Sequence, residues 1–226
     1  MAHRLLAIGD IHGHSVALDS LLSAVRPDET DQLVFLGDYV HRGPDSKAVI
    51  DRLIQINSTY NSIFLRGNHD ITLLEAWQGK IDLTTWEYLA DEVGLTGYDS
   101  GEMEIPFHAV PEAHWHFLES ACRDYWETDD YIFVHGGIPA SVNPAEADPD
   151  YLYWTKLNSA VRPHESGRTV ICGHSSQESG EIADLGHTIC IDTAISKEKW
   201  LTCLSLDTWD YWQTDPDGNL RTGLLR

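Results

Sequence analysis

Short apolar runs recur along the chain, each closing on a polar, glycine-containing loop. Residues 4–8 precede Gly9-Asp10-Ile11-His12-Gly13, residues 32–36 precede Gly37-Asp38-Tyr39, and residues 62–65 precede Arg66-Gly67-Asn68-His69-Asp70. Runs of this length bounded by turn residues predict strands. Between the first two, Val16, Leu18, Leu21, Leu22 and Val25 share one helical face, with Ser15 placed to cap the start. Between the second and third, Val49, Ile50, Leu53 and Ile54 form a helical stripe behind the start signal Pro44-Asp45-Ser46. The predicted order is β-α-β-α-β.

Beyond Asp70 the pattern turns helical, with candidate helices at 71–77, 83–92 and 111–122. Strand patterns then return at 131–134, running into His135-Gly136-Gly137, and at 169–172, running into Gly173-His174. Residues 188–191, 201–206 and 211–214 read as closing strands. Alternating strands and helices favour an α/β sheet whose ligand-bearing loops gather at the carboxyl ends of its strands. The 226 residues carry no interior linker composition, so the expectation is one domain over 1–226 with a helix-rich insertion around 71–125. The tryptophans Trp154, Trp200, Trp209 and Trp212 are expected in the core.

Charge narrows the possible partners. With 36 acidic against 15 basic residues the formal net charge is −21, a field that repels nucleic acid and anionic membranes over roughly 10 Å at ordinary salt. No apolar stretch reaches the roughly 18 residues a membrane helix needs. The apolar run near the N-terminus is too short for a signal-peptide core. The cysteines at 122, 172, 190 and 203 form no Cys-x-x-Cys pair and read as reduced thiols. A soluble, cytoplasmic protein binding neither nucleic acid nor membrane is the expectation.

Five of the loops share one form, a strand followed by a glycine beside a metal-capable residue: Asp10 and His12, Asp38, Asn68 and His69, His135, and His174. One such loop is an ordinary turn; five in succession are hard to obtain as independent turns. Imidazole, carboxylate and amide oxygen suit divalent ions of the manganese, iron and zinc range, and the absence of cysteine among these loop residues excludes a thiolate zinc finger. Two ions about 3.5–4 Å apart need a bridging carboxylate, and Asp38 is the natural bridge.

These motifs, GDIHG, GDYVHRG, GNHD, HGG and GH in that order, resemble the metal-dependent phosphoprotein phosphatase superfamily, in particular its bacterial serine/threonine phosphatases of calcineurin-like metallophosphoesterase fold. The resemblance implies two mixed β-sheets packed as a sandwich and flanked by helices, in four layers αββα. It implies a first metal on Asp10, His12 and Asp38 and a second on Asp38, Asn68, His135 and His174, two divalent ions with manganese preferred and iron or zinc accepted. It implies His69 as general acid, Arg42 and Arg66 as phosphate-orienting arginines, and a hydroxide bridging the metals as nucleophile. Its substrate would be a phosphorylated protein, on serine, threonine or tyrosine, or a small phosphomonoester. The alternative, from relatives sharing the core motifs, is hydrolysis of dinucleoside polyphosphates of the Ap4A type; a third reading is a catalytically weakened phosphate-binding module.

The chain departs from the superfamily pattern at three places. His41 stands where the family has the aspartate that supports its general acid, and the expected consequence is weakened leaving-group protonation unless Asp70 or Asp45 substitutes. Lys156 stands where the family has an arginine two residues past a tryptophan, with Arg162 a nearby alternative. Asp70 replaces a glutamate.

Overall fold

The computed structural model of the protein describes residues 3–81, 95–98 and 107–226; the helix expected at 83–92 lies outside them. The chain runs β1 (Leu5–Ile8), α1 (Ser15–Val25), β2 (Gln32–Phe35), α2 (Ser46–Thr59), β3 (Asn61–Leu65) and α3 (Asn68–Trp77). After the insertion come α4 (Glu112–His116), a wide turn over Phe117–Ala121, β4 (Cys122–Arg123), β5 (Tyr125–Glu127), β6 (Tyr131–Val134) and α5 (Pro149–Trp154). The remaining strands are β7 (Thr169–Cys172), β8 (Ala183–Asp184), β9 (Thr188–Cys190), β10 (Leu201–Ser205), β11 (Asp210–Thr214) and β12 (Leu220–Leu224).

Pleat parity explains the layering. Leu6 and Ile8 of β1, Leu33 and Phe35 of β2 and Phe64 of β3 enter one apolar cluster, whereas Ala7, Val34 and Leu65 enter another. Successive side chains of a strand face opposite sides, so runs without polar positions must be covered on both faces. The first cluster is closed by Leu18, Leu21 and Leu22 of α1, Val49, Ile50 and Leu53 of α2, and Leu73 and Leu74 of α3. The second is closed by another sheet, through Phe133 of β6, Ile171 of β7 and Ile189 of β9. The outer face of that sheet sends Ile132, Val134, Val170, Cys172 and Cys190 against Leu152 of α5. The result is the helix–sheet–sheet–helix sandwich expected above.

The first sheet has the order β12-β11-β10-β1-β2-β3-β4 and the second β5-β6-β7-β9-β8. β1 through β4 are mutually parallel, as are β6, β7 and β9, while β10, β11 and β12 join antiparallel. Because β1, β2, β3, β6 and β7 are the strands that precede the five polar loops, their carboxyl ends bring those loops together.

Local details differ from expectation in instructive ways. Asp45 caps α2, accepting from Ala48 N at 2.8 Å, but α1 is preceded by His14 and has no side-chain cap. The tight turn closed by His14 N on the Ile11 carbonyl leads the chain into helix one residue early, so Ser15 lies inside it. The helix expected at 111–122 is present, but after His116 it widens from α- to π-helical winding over Phe117–Ala121. β12 escaped sequence reading because its burial alternates between exposed and intermediate, leaving no apolar stripe. The four tryptophans divide: Trp212 and Trp209 are half-buried and pack against the first and second apolar clusters, Trp200 is half-buried at the sheet rim, and Trp154 is 40% exposed. Arg221 lies 4.3 Å over Trp200 and Arg226 4.5 Å over Trp209, so these rings serve as cation-binding faces at the sheet rim. Among the described residues no helix is long and apolar enough to cross a membrane.

The buried Phe64 ring stacks on Phe35 at 4.9 Å and meets Phe117 edge-on at 5.0 Å. Phe64→Ala leaves a cavity where sheet and helices meet, and denaturant unfolding is expected to show a loss of about 3–5 kcal/mol; a loss under about 1 kcal/mol would mean that this face repacks freely.

Candidate dinuclear metal centre

The loop after β1 carries Asp10 and His12, that after β2 Asp38, that after β3 Asn68 and His69, that after β6 His135 and that after β7 His174. All but the half-buried His174 are buried. Packing five loops into one place strains them. His12, Asp38, His41, Arg42 and His174 all have positive φ, between 46° and 69°, a region that side chains other than glycine rarely adopt and that concentrates at functional sites. Two glycines are required by close approach: a methyl group on Gly67 would overlap the Asp38 carboxylate, and one on Gly173 would overlap Asp10 Oδ1.

Backbone carbonyls fix which nitrogen each histidine offers. His135 Nδ1 lies 2.7 Å from the Leu36 carbonyl, His12 Nδ1 3.2 Å from the Val40 carbonyl and His174 Nε2 3.2 Å from the Trp154 carbonyl. A carbonyl only accepts, so these nitrogens carry hydrogen and the opposite nitrogens face the site. His12 Nε2 stands 3.5 Å from Asp38 Oδ2 and His135 Nε2 3.4 Å from Asp38 Oδ1. Asn68 Oδ1 lies 3.0 Å from His135 Nε2 and 2.8 Å from His174 Nδ1.

Burial and mutual charge set the protonation states. Burial raises the Asp38 carboxyl, but His135, His69 and His12 outweigh it and hold the group well below the usual carboxylate range. Burial lowers His135, yet Asp38 and Asp10 carry it up to about 10. Burial pushes His12 to about 4 and, with His135 alongside, His174 to about 4. Asp10 is driven well up by burial and by Asp192. Two imidazoles, His12 and His174, are thus held neutral around a carboxylate, an amide oxygen and further carboxyl groups. This donor set fits divalent cations.

Two groups of donors lie with ligand atoms within 4.8 Å of one another: His12, Asp38 and His69, and Asp38, His135 and His174. Asp38 belongs to both, the position a bridging ligand requires. Asp10 lies outside both groups; its carboxylate accepts from His174 N at 3.0 Å, tying the β1 loop to the β7 loop. Asp192, after β9, was missed by sequence reading. It is buried, and burial raises its carboxyl to about 6. The signal was present as a carboxylate after a strand, without the glycine that marked the other loops.

The departures from the motif pattern resolve as follows. His41 Nδ1 is 3.1 Å from His69 Nδ1, so the imidazole itself occupies the supporting position. Burial and the neighbouring His12 lower His41 to about 3, and burial likewise takes His69 well below its usual range. Neither Asp70 nor Asp45 substitutes. Asp70 accepts from the backbone N–H groups of Asp38 at 2.8 Å, Tyr39 at 3.0 Å and Gly67 at 2.8 Å, clamping the β2 and β3 loops together, and Asp45 is engaged as the α2 cap.

A cleft of about 480 Å³ opens over these donors, with Arg42, Lys156 and Lys197 among its walls. Arg66 is elsewhere: its guanidinium pairs with Asp124 beside the 122–127 segment, in a separate depression, which corrects the expectation that it orients phosphate. Arg162 lines a cavity next to the cleft rather than the cleft itself. Lys197 escaped sequence reading because no motif surrounds it; it reaches the cleft from the turn after β9 and pairs with Glu178 at 2.6 Å.

Thr96 was also missed. Its hydroxyl donates to the Gly43 carbonyl at 2.8 Å, accepts from Ser46 N at 3.0 Å and lies 3.2 Å from Ser46 Oγ, which accepts from His41 N at 3.0 Å. This brace holds the strained turn that carries His41 and Arg42.

Asp38→Asn keeps the shape and removes the shared charge. Manganese binding followed by calorimetry is expected to weaken at least tenfold, roughly 1.4 kcal/mol, with unchanged circular dichroism; retained affinity would remove Asp38 from the bridging position. Thr96→Val is expected to lower stability by about 1–3 kcal/mol and to raise KM more than it lowers kcat, with Thr96→Ser restoring both. An unchanged KM would reduce the brace to a structural tie.

Comparison with known proteins places these observations. The family model described as Calcineurin-like phosphoesterase matches residues 3–196. A curated relative from Coxiella burnetii, named bis(5'-nucleosyl)-tetraphosphatase, symmetrical, is 30% identical over 159 residues, covering 70% of this chain and 49% of the relative. The chain spans about half the length, or less, of the curated relatives it matches first. Among solved structures, one provisionally described as a diadenosine tetraphosphatase superposes with TM-score 0.65 at 21% identity, covering 98% of this chain and 93% of that one. A cold-active protein-tyrosine phosphatase from a psychrophilic Shewanella superposes with TM-score 0.66 at 15% identity, covering 98% and 80%. Both structural likenesses show the fold.

Proposed function

Given that the chain belongs to the calcineurin-like phosphoesterase family, we propose that it hydrolyses dinucleoside polyphosphates, cutting a phosphoanhydride in preference to a phosphoserine or phosphothreonine ester. The relatives named as symmetrical bis(5'-nucleosyl)-tetraphosphatases support this reading over the phosphoprotein one. The observation that carries it is the imidazole of His41 beside His69.

A carboxylate at that place would stabilise a protonated His69 and so favour proton delivery to a departing alkoxide; an imidazole offers no negative charge. A serine or threonine leaving group needs that proton, because an alkoxide is a strong base. A nucleoside diphosphate is a weak base and leaves as a stable anion. A site with weakened acid support is therefore matched to anhydrides.

The donors of Asp10, His12, Asp38, Asn68, His135 and His174 would hold two divalent ions, manganese preferred, with Asp10 also fixing the His174 loop. When bound, such ions supply Lewis acidity and activate water at neutral pH. The chain's own cations do the positioning. Arg42 projects from its braced turn as a planar fork suited to phosphoryl oxygens, and Lys156 and Lys197 add point charges at the cleft wall. In a chain of net charge −21, this local positive lining draws a polyanion to one place. His69, oriented through its Nδ1 by His41, presents its other nitrogen for hydrogen bonding to the departing oxygen.

With manganese, the protein is expected to convert bis(5'-adenosyl) tetraphosphate into two ADP with kcat/KM about 100-fold or more above that for a phosphoserine peptide, about 2.7 kcal/mol in transition-state terms. His41→Asp is expected to raise the peptide rate relative to the dinucleotide rate. A wild-type protein that prefers the peptide, or products ATP and AMP, would overturn the proposal.

A further inference from the structure

Beside the cleft lies a second cavity of about 380 Å³, on the outer face of the second sheet, with walls that include Gly137, Ile138, Tyr151, Leu157, Arg162 and Cys172. Lys156 lines both spaces, so they adjoin at its side chain. We propose that this second cavity receives one nucleoside of the substrate, its base against the Tyr151 ring, with Lys156 holding phosphate where the two spaces meet. The inference rests on the dinucleotide reading given above and adds where a nucleoside sits.

Three observations carry it. The first is aromatic exposure. Tyr151 is 41% and Trp154 40% exposed, and their i, i+3 spacing on α5 puts them on one side of the helix. Trp77 is the other strongly exposed large aromatic among the described residues, and it is already stacked on Trp115 at 4.6 Å. Trp154 meets the His174 ring edge-on at 6.3 Å, so the aromatic pair extends from the metal-capable residues to the second cavity. Aromatic faces left in water beside a charged cleft are the surface on which a nucleobase stacks.

The second observation is charge. Arg42, Lys156, Arg162 and Lys197 line the two cavities, four of only 15 basic residues in a chain with 36 acidic ones. Among the described residues no carboxylate lines the second cavity. A nucleotide repelled elsewhere on this surface is not repelled here.

The third is that two further polar side chains in the walls, His164 and Asn158, are engaged with the protein. His164 places Nδ1 2.7 Å from Ser166 Oγ and Nε2 3.0 Å from the Val142 carbonyl. Asn158 accepts from Ala160 N at 2.9 Å and donates to the Lys156 carbonyl at 3.3 Å, which also fixes the backbone at Lys156. Stacking on Tyr151 and charge from Lys156 and Arg162 are the means of holding a nucleotide that the walls offer. Symmetrical cleavage places a diphosphate between the reacting bond and each ribose, so the nucleoside must sit to the side of the metal-capable residues, as this cavity does.

The test compares ligands with and without a nucleoside. Calorimetry on the manganese-loaded protein would measure ADP and pyrophosphate binding for wild type, Tyr151→Ser and Tyr151→Phe, with thermal melts confirming that each is folded. Tyr151→Ser is expected to reduce the ADP-to-pyrophosphate affinity ratio about tenfold, the scale of one lost base–aromatic stack, and Tyr151→Phe to restore it. The ratio of kcat/KM for bis(5'-adenosyl) tetraphosphate to that for p-nitrophenyl phosphate should fall by a similar factor. An affinity ratio that does not move, or that Phe fails to restore, overturns the subsite even if the dinucleotide is hydrolysed. A wild-type protein that binds ADP through Tyr151 yet leaves the dinucleotide intact overturns the proposed activity and leaves the subsite standing.

Discussion

Everything in this molecule is arranged around the burial of Asp38. A carboxylate taken out of water and kept ionised is costly unless opposite charge surrounds it. Here His135 and His12 stand within 3.5 Å of its oxygens, and the His69 backbone N–H donates to one of them at 3.0 Å. The protein supplies only part of the compensation, because burial keeps His12 and His174 neutral and Asp10 and Asp192 crowd the same space. A pair of divalent cations would complete that balance, and backbone carbonyls orient the imidazoles toward the site. That preorganisation is the work of the surrounding backbone.

Holding such a centre requires strained turns, and the strain is countered by polar clamps with saturated hydrogen bonding. Asp70 joins the β2 and β3 loops through three backbone amides, Asp10 joins β1 to β7, and the Thr96 hydroxyl closes the turn carrying His41 and Arg42. Each links segments far apart in the chain, so the loops stand or fall together. The double-faced apolar strands beneath them make this possible, since a sheet covered on both sides cannot shift register without turning its core side chains to the wrong face.

The same scaffold accommodates proteins named for different phosphate chemistries, and fold alone does not choose between them. The choice falls to the few side chains around the dinuclear centre. Under the proposed function, an imidazole in place of a carboxylate beside His69 would lower the demand the site can meet for leaving-group protonation, while the basic lining and the exposed aromatics of α5 would suit a long polyanion with a planar end. Acidity of the whole surface sharpens this selection by making the cleft and its neighbouring cavity the places where an anion is tolerated.

The sequence by itself was sufficient for the strands preceding the metal-capable loops and for the helices after Ser15 and Ser46, because apolar runs followed by glycine and a polar residue are local patterns and local sterics produce them. It was insufficient for Asp192, whose loop lacks the glycine, for β12, whose alternation carries no apolar stripe, and for Thr96, whose partners lie some 50 positions away in the chain. It misplaced Arg66, which finds Asp124 instead of the cleft, and it misjudged Trp154, which stands in water beside His174. Which donors share Asp38, which nitrogen each histidine offers and which cations face the cleft were decided by tertiary structure alone. These are distances between residues remote in sequence, set when two sheets pack against one another, and no local pattern encodes them.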